Sequence, residues 1–310
     1  MRKFLLLILS LLLLLGIPLE LSSQSHSYQA IVLDKSTNES LPYVNVRVYQ
    51  GDSTFYFSAT DVQGRFIIKR GFPIGTQISV SCMGYSTKNF PLVFSEALDT
   101  IFLEPDPMYL NEVTVMPIDP QEAEYFETGT YRKSEDIYIC RRPGNRSAVL
   151  LEPDEDVKQG ILWRFGLLIS ESSKGEHPFR IFFCEVSDAS DQRPGKIIAG
   201  SEIKALSQDQ GGWLYFDLDS LRIPFSSKGL YAVIEWLPEQ TPELESFSNL
   251  GRRRLEPINH FCLAEHHCKF EDYLGWYQRP GDFEGWRRLK ERKDFLVANP
   301  IVYANVLVIE

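Results

Sequence analysis

The sequence lacks most of what marks an enzyme. It holds no Gly-x-Ser-x-Gly elbow, no His-Glu-x-x-His, no phosphate-binding loop and no dinucleotide fingerprint. None of its 5 histidines is followed three positions later by Glu, so the His-x-x-Glu pair of zinc carboxypeptidases is missing and that catalysis is excluded. Positive charge is also short: 32 Lys and Arg stand against 42 Asp and Glu, a net charge of −10. An acidic chain argues against nucleic acid or an anionic membrane as the main partner. Arg252-Arg-Arg254 and the group Arg287, Arg288, Lys290, Arg292 and Lys293 are local exceptions, read as solvated loop surface. Past the N-terminus no stretch is apolar enough to span a bilayer, so no transmembrane segment is expected in the mature chain. Cysteine is scarce and odd in number, 5 in 310 residues, which is no disulfide scaffold. Cys82 and Cys184 sit in strand-like runs and read as small buried apolar residues.

What is present begins with a leader. Arg2 and Lys3 precede an apolar run from Phe4 to Leu15, which Gly16 and Pro18 break. Leu21-Ser-Ser-Gln-Ser25 then offers small residues for cleavage. These are the parts of a secretory signal peptide, expected over 1–25. A spanning anchor would need about 20 apolar residues, and this run is shorter. No Cys lies near the cleavage region, so lipid attachment there is not expected. The chain is therefore expected to be exported, to the periplasm or the cell surface.

From Tyr28 to Pro117 the pattern is one of short strands and turns. Tyr28, Ala30 and Val32 alternate with Gln29, Ile31 and Leu33, and Val44, Val46 and Val48 share one face of the next strand. Asp61-Val-Gln-Gly64 reads as a tight turn into Arg65–Lys69, since Asp bonds its own backbone and Gly takes positive φ. Gln77–Cys82, Thr87–Phe90, Asp99–Leu103 and Glu112–Val115 continue the series. Roughly seven short strands without a helical period predict an antiparallel β-sandwich.

The series Leu41-Pro-Tyr-Val-Asn-Val46, Thr60-Asp-Val-Gln-Gly-Arg-Phe66, Cys82-Met-Gly-Tyr85 and Leu110-Asn-Glu-Val-Thr-Val115 resembles the carboxypeptidase regulatory-like domain. That module is widespread in exported proteins of the Bacteroidota. The resemblance covers 26–117 and implies a transthyretin-like β-sandwich that carries no catalytic residue. Ala30 departs from the family, which usually has Gly there. In outer-membrane receptors a segment similar to Leu110–Val115 is followed by a plug and a barrel, but the remaining chain is far too short for a large barrel. Asp61 and Tyr85 are read as turn and packing residues rather than as a binding surface.

Pro117-Ile-Asp-Pro120 begins a linker over 118–130, with a helical turn expected across Gln121–Phe126. Beyond it, Ile161–Ile169, Phe179–Val186, Trp213–Leu218, Leu230–Trp236 and Val302–Ile309 are long, aromatic and β-branched, several of them apolar on both faces. They suit the centre of a two-sheet sandwich. The order of Phe179-Arg-Ile, Glu185-Val, Pro194-Gly195, Gly212-Trp213, Phe216-Asp-Leu218, Ile223-Pro224 and Ile234-Glu-Trp236 resembles the jelly-roll-like C-terminal half of exported Bacteroidota proteins that begin with the same module. The fold expected is therefore all-β, a transthyretin-like β-sandwich followed by a larger jelly-roll-like β-sandwich over 131–310.

Three clusters could carry chemistry. His260-Phe-Cys262-Leu-Ala-Glu265-His266-His267-Cys268 gathers the ligand types of zinc, with His260, His266 and His267 as candidates. Its spacing fits no standard signature, and a local disulfide between Cys262 and Cys268 is the favoured expectation. Tyr273, Trp276, Tyr277, Phe283 and Trp286 crowd a loop-rich stretch. Trp276 and Trp286 could stack on sugar faces, although sealing the edge of the sandwich is the more ordinary role of such rings. Asp217 and Glu235 are carboxylates within strands, but nothing places them at the separation a glycosidase pair needs, and such a residue ordinarily faces solvent or bonds a loop. The reading is an exported non-catalytic envelope protein without a cofactor, a binding or structural module of the cell surface or periplasm, whose partner is an envelope protein or a glycan. The rival is a glycan- or peptide-directed hydrolase using an unrecognised C-terminal site.

Overall fold

The computed structural model describes residues 27–106 (except 52, 70, 83 and 96), 124–244 (except 134, 136, 142, 155, 158 and 242), 262–268, 275–278, 285–288 and 297–309. The expected leader and the segment Leu110–Val115 lie outside these residues. Among the described residues every regular element is a strand, apart from one short 3-10 turn, Asp219–Leu221. No described helix is long and apolar enough to cross a membrane.

The N-terminal part contributes β1 (Ser27–Asp34), β2 (Asn45–Gln50), β3 (Ser53–Ala59), β4 (Arg65–Lys69), β5 (Gln77–Ser81), β6 (Lys88–Pro91) and β7 (Leu98–Leu103). β4, β1 and β7 form one layer, and β3, β2, β5 and β6 the other. The alternation seen in the sequence is what packs them: Tyr28, Ala30 and Val32 meet Val46, Val48, Ile78 and Val80 in one buried core with Phe66 and Ile68. The turn before β4 is as expected. Asp61 Oδ1 accepts from the amides of Gln63 (2.9 Å) and Arg65 (2.8 Å), and Gly64 sits at φ +76. A side chain at Gly64 would also press within 3.0 Å of the Val32 and Leu41 carbonyls, so only glycine fits. Tyr85 does pack on this core, and its hydroxyl donates to Asp34 Oδ2 at 2.7 Å.

The rest of the chain forms β8 (Tyr125–Gly129), β9 (Ile137–Cys140), β10 (Arg146–Leu151), β11 (Gln159–Ile169), β12 (Pro178–Val186), β13 (Pro194–Ile197), β14 (Ile203–Leu206), β15 (Gly212–Asp217), β16 (Ile223–Ser226), β17 (Leu230–Trp236), β18 (Glu243–Leu244), β19 (Cys262–Cys268), β20 (Gly275–Gln278), β21 (Val297–Pro300) and β22 (Val302–Ile309). All but β18 belong to a larger jelly-roll-like sandwich. A six-stranded sheet runs β13-β12-β17-β10-β20, with β14 also on β12. An eight-stranded sheet runs β21-β19-β11-β22-β8, with β15 and β16 on β11 and β9 on β19. Phe165, Leu167 and Val306 of one sheet pack on Phe183, Ile234 and Trp236 of the other. β12 and β17 are buried on both faces because a second cluster, with Trp276, Tyr231 and Phe182, covers the outer side of their sheet.

Two differences from the sequence reading concern the join. Residues 125–129, expected as the end of a helical linker, are the edge strand β8. Tyr125, Glu127 and Gly129 face one way while Phe126 packs on the large core, a period of two rather than 3.6. β18 also leaves the large sandwich and pairs in parallel with β4, Glu243 opposite Ile67 and Leu244 opposite Ile68. Tyr43, Ala59 and Leu237 close a small apolar contact at the same boundary, and the Thr241 hydroxyl bonds Asp61 Oδ2 at 2.5 Å.

Candidate functional site

The outer face of the eight-stranded sheet carries a set of aromatic rings, of which Tyr215 is exposed and Trp213, Tyr303 and Tyr131 are half-buried. Strand registers build it. Leu168 stands opposite Trp213. Gly166 stands opposite Tyr215 on one side and Tyr303 on the other, and Tyr303 opposite Gly129. One row across β15, β11, β22 and β8 therefore reads Tyr215, Gly166, Tyr303, Gly129. The next reads Asp217, Arg164, Asn305, Glu127.

Glycine at position 166 explains how the rings lie. A Cβ there would come within 2.7 Å of Tyr215 Cε1 and 3.3 Å of Trp213 Cε3, so both rings lean over the bare backbone. Trp213 and Tyr215 stack with centroids 5.6 Å apart and planes at 14°. Tyr303 meets Tyr215 edge-on at 6.0 Å, and Tyr131 meets Tyr303 edge-on at 5.2 Å. The phenols of Tyr303 (3.2 Å) and Tyr131 (2.8 Å) both donate to Glu127, which fixes the two rings. Burial, seconded by Glu127, holds the Tyr303 phenol above its ordinary pKa, so it stays a neutral donor. Tyr215 remains 52% exposed.

The polar row beside the rings is charge-balanced. Arg164 Nε donates to Asp217 Oδ1 at 2.7 Å, with both side chains largely in solvent. Arg132 lies over the Tyr131 ring and donates to its hydroxyl at 3.0 Å. Glu127 and Tyr131 also line a cleft of about 390 Å³ between β8 and the turn after β10. Such a surface offers π faces and a few fixed donors and acceptors.

A second polar constellation is buried. Arg180, Glu235, Arg146 and Gln278 stand in register across β12, β17, β10 and β20. Arg180 Nε donates to Glu235 Oε2 at 2.6 Å, and Arg146 Nε lies 3.2 Å from the same oxygen. Burial alone would raise the Glu235 carboxyl, but the two guanidiniums reverse this and hold it below the usual carboxylate range. Arg180 then reaches into the first sandwich, donating to Asn45 Oδ1 at 2.7 Å and to the Tyr43 carbonyl at 3.3 Å. The expectation that Glu235 faces solvent or bonds a loop is thus corrected: it is fully buried within the sheet, where two strand arginines compensate its charge. It belongs to the six-stranded sheet and Asp217 to the eight-stranded one, so they form no carboxylate pair.

The sequence-level candidates fare differently. Cys262 is bonded to Cys140, not Cys268. Cys140 lies directly opposite Cys262 in the β9–β19 register with Cα atoms 4.2 Å apart. Cys268 is at the other end of β19, about 20 Å along a strand from Cys262, which no disulfide spans. His260 lies outside the described residues. His266 is buried in β19, and His267 is the next residue of that strand. Among the described residues no three His, Cys, Asp or Glu gather as a metal group. Trp276 is buried with its indole nitrogen donating to the Tyr231 hydroxyl at 3.1 Å, and half-buried Trp286 packs on the same cluster. Trp276 therefore seals the six-stranded sheet instead of stacking on a sugar. On the outer face of the other sheet Tyr215 is exposed, beside the half-buried rings of Trp213, Tyr303 and Tyr131, and none of these four stood out in the sequence. Their signal was Trp213-x-Tyr215, two aromatics on one strand face, facing a glycine inside an otherwise apolar strand.

No family model matches the chain, and no curated protein matches it in sequence. Among solved structures it is similar to the Bacillus anthracis TIE protein, at 11% identity and TM-score 0.21 over 72% of this chain and 50% of that one. It is similar also to a streptococcal ancillary pilin (10%, TM-score 0.22, 72% and 62%) and to BcpA, the major pilin subunit of Bacillus cereus (11%, TM-score 0.20, 90% and 69%). The chain spans half the length of the first of these. Likenesses at that level leave the reading of this chain to its own geometry.

Proposed function

We propose that this protein is an exported, non-catalytic binding module of the cell envelope, and that the outer face of its eight-stranded sheet is the contact surface. The observation that carries the proposal is the ring set around Tyr215, held in place by Gly166 and Glu127, with Tyr215 itself half in solvent and the other rings partly so. Large aromatic rings left exposed on an ordered sheet cost solvation, and such surfaces mark interaction sites. In the same proposal residues 1–25 are the export leader, 26–117 the regulatory-like sandwich, 118–130 the joining stretch and 131–310 the binding sandwich. The ordered motifs from Leu41 to Val115 and the turn at Asp61 support the regulatory-like assignment. The buried Arg180 row and β18 would hold the two sandwiches as a single rigid support for the face.

The test is co-sedimentation of the purified protein with an envelope fraction of the producing cell. Tyr215→Ala is expected to stay in the supernatant while the wild type pellets. Equal pelleting of the two proteins overturns the assignment of the face.

A further inference from the structure

We infer that the ligand of this face is a neutral polysaccharide, an inference that rests on the binding role proposed for the same face. Size, charge and ring geometry each point there. Three strand spacings of about 4.8 Å and two row spacings of about 6.8 Å give roughly 200 Å² of ordered face. A stable protein interface needs about 800 Å² per partner, so a folded protein is poorly served by it. A chain of sugar rings is narrow enough to be served well.

The rings present what a sugar ring binds. A pyranose turns a patch of polarised C–H groups to one side, and these sit on the negative face of an aromatic ring. Trp213 and Tyr215, parallel within 14°, make a short stepped stack along β15, and Tyr303 and Tyr131 extend it across the strands to the cleft beside β8. Sugar hydroxyls project in the plane of the ring, and the neighbouring row supplies both hydrogen-bonding senses: donors on Arg164, and acceptors on Asp217 and Glu127.

Charge selects a neutral ligand. Arg164 is matched by Asp217, and Arg132 stands beside Glu127 across Tyr131, so the rings lie among paired charges, while the cleft beyond them adds the acidic Glu152 and Asp154 and no further base. The chain around it is acidic, which repels polyanions. Single-stranded nucleic acid also stacks on aromatic rings, but it needs a basic groove along its backbone, and this face has none.

Native electrophoresis in gels cast with a soluble neutral β-glucan, a neutral mannan or a galactomannan tests the inference, with polygalacturonate as the anionic comparison. At least one neutral polymer is expected to retard the protein. Tyr215→Ala and Trp213→Ala should each weaken that retardation by about tenfold or more, a free-energy change near 1.4 kcal/mol. Phe102→Ala, an exposed ring on the other sandwich, should leave it unchanged. Tyr215 is half in solvent, so its variant is expected to melt with the wild type, which separates lost binding from lost folding. Retardation by none of the neutral polymers, by polygalacturonate alone, or surviving Tyr215→Ala would overturn the inference. If the envelope pelleting still depends on Tyr215 in that event, the face stands and only the ligand class is wrong. If the pelleting fails as well, both fall together.

Discussion

Replacing Arg180 with Met removes one charge from the centre of the buried row and keeps most of the side chain's volume. Arg180 is 4% exposed and spends its donors on Glu235, Asn45 and the Tyr43 carbonyl. Breaking a buried pair by removing one partner costs about 3–5 kcal/mol. Here Arg146 still faces Glu235, which lowers the cost, while Asn45 Oδ1 and the Tyr43 carbonyl lose a donor, which restores it. The expected loss is therefore about 4 kcal/mol, and with a urea slope of about 3 kcal/mol/M the midpoint should fall by roughly 1.3 M. The tryptophans, at positions 163, 213, 236, 276 and 286, all lie in the second sandwich, so their fluorescence reports that sandwich alone. Far-UV circular dichroism reports both. The two probes should coincide in the wild type, as a single cooperative transition requires, and separate in Arg180→Met, because the polar tie from β12 to Asn45 is cut. A loss below about 1 kcal/mol, with the probes still coincident, would refute the view that this row stabilises the larger sheet and couples it to the first sandwich.

Three further outcomes follow from other sites. Burial, opposed by Arg141, pushes the Glu265 carboxyl up to about 7. A carboxyl raised in the folded state favours folding fully below its unfolded pKa of 4.5 and loses that contribution as pH rises to 7 and beyond. Wild-type stability measured by urea titration should thus fall by about 3 kcal/mol relative to Glu265→Gln between pH 4.5 and 7.5, and parallel pH profiles would refute it. The Cys140–Cys262 bond joins residues 122 apart in sequence, and Cys140→Ala/Cys262→Ala should cost about 2–4 kcal/mol, matched in the wild type by adding reductant before unfolding. Gly166→Ala should tilt the rings of Tyr215 and Trp213, whose mobile ends are what the new methyl meets, while changing stability by less than about 1 kcal/mol. Loss of the near-ultraviolet dichroism of the stacked pair at unchanged melting temperature is the expected readout, and a large drop in melting temperature would count against it.

The parts of the structure legible in the sequence were those that local chemistry determines. Tyr28, Ala30 and Val32 alternate because a half-buried strand must, and Asp61 and Gly64 make a turn by bonding and by φ. What escaped was set by register between distant strands. Arg180 and Glu235 look like polar interruptions of apolar strands until β12 lies beside β17. Cys262 has a nearer cysteine in sequence, yet its partner is the one a hairpin-free pairing of β9 with β19 brings opposite. Tyr215 and Tyr303 are separated by 88 residues and meet only because both β15 and β22 flank Gly166 of β11. The crowded rings at Trp276 and Trp286 were conspicuous by composition, but composition does not say which side of a sheet is covered.

The parallel pairing of β18 with β4 bears on the order of events when the chain is made. A polypeptide that emerges N-terminus first presents β4 long before residues 243–244 follow it. During that interval the first sandwich has an unpaired strand edge, the kind that recruits other chains. The small module is finished only after most strands of its larger neighbour, β8 to β17, have been made. Synthesis and folding of the two halves are therefore bound to one schedule, and a fragment cut after the first sandwich would leave that edge permanently open.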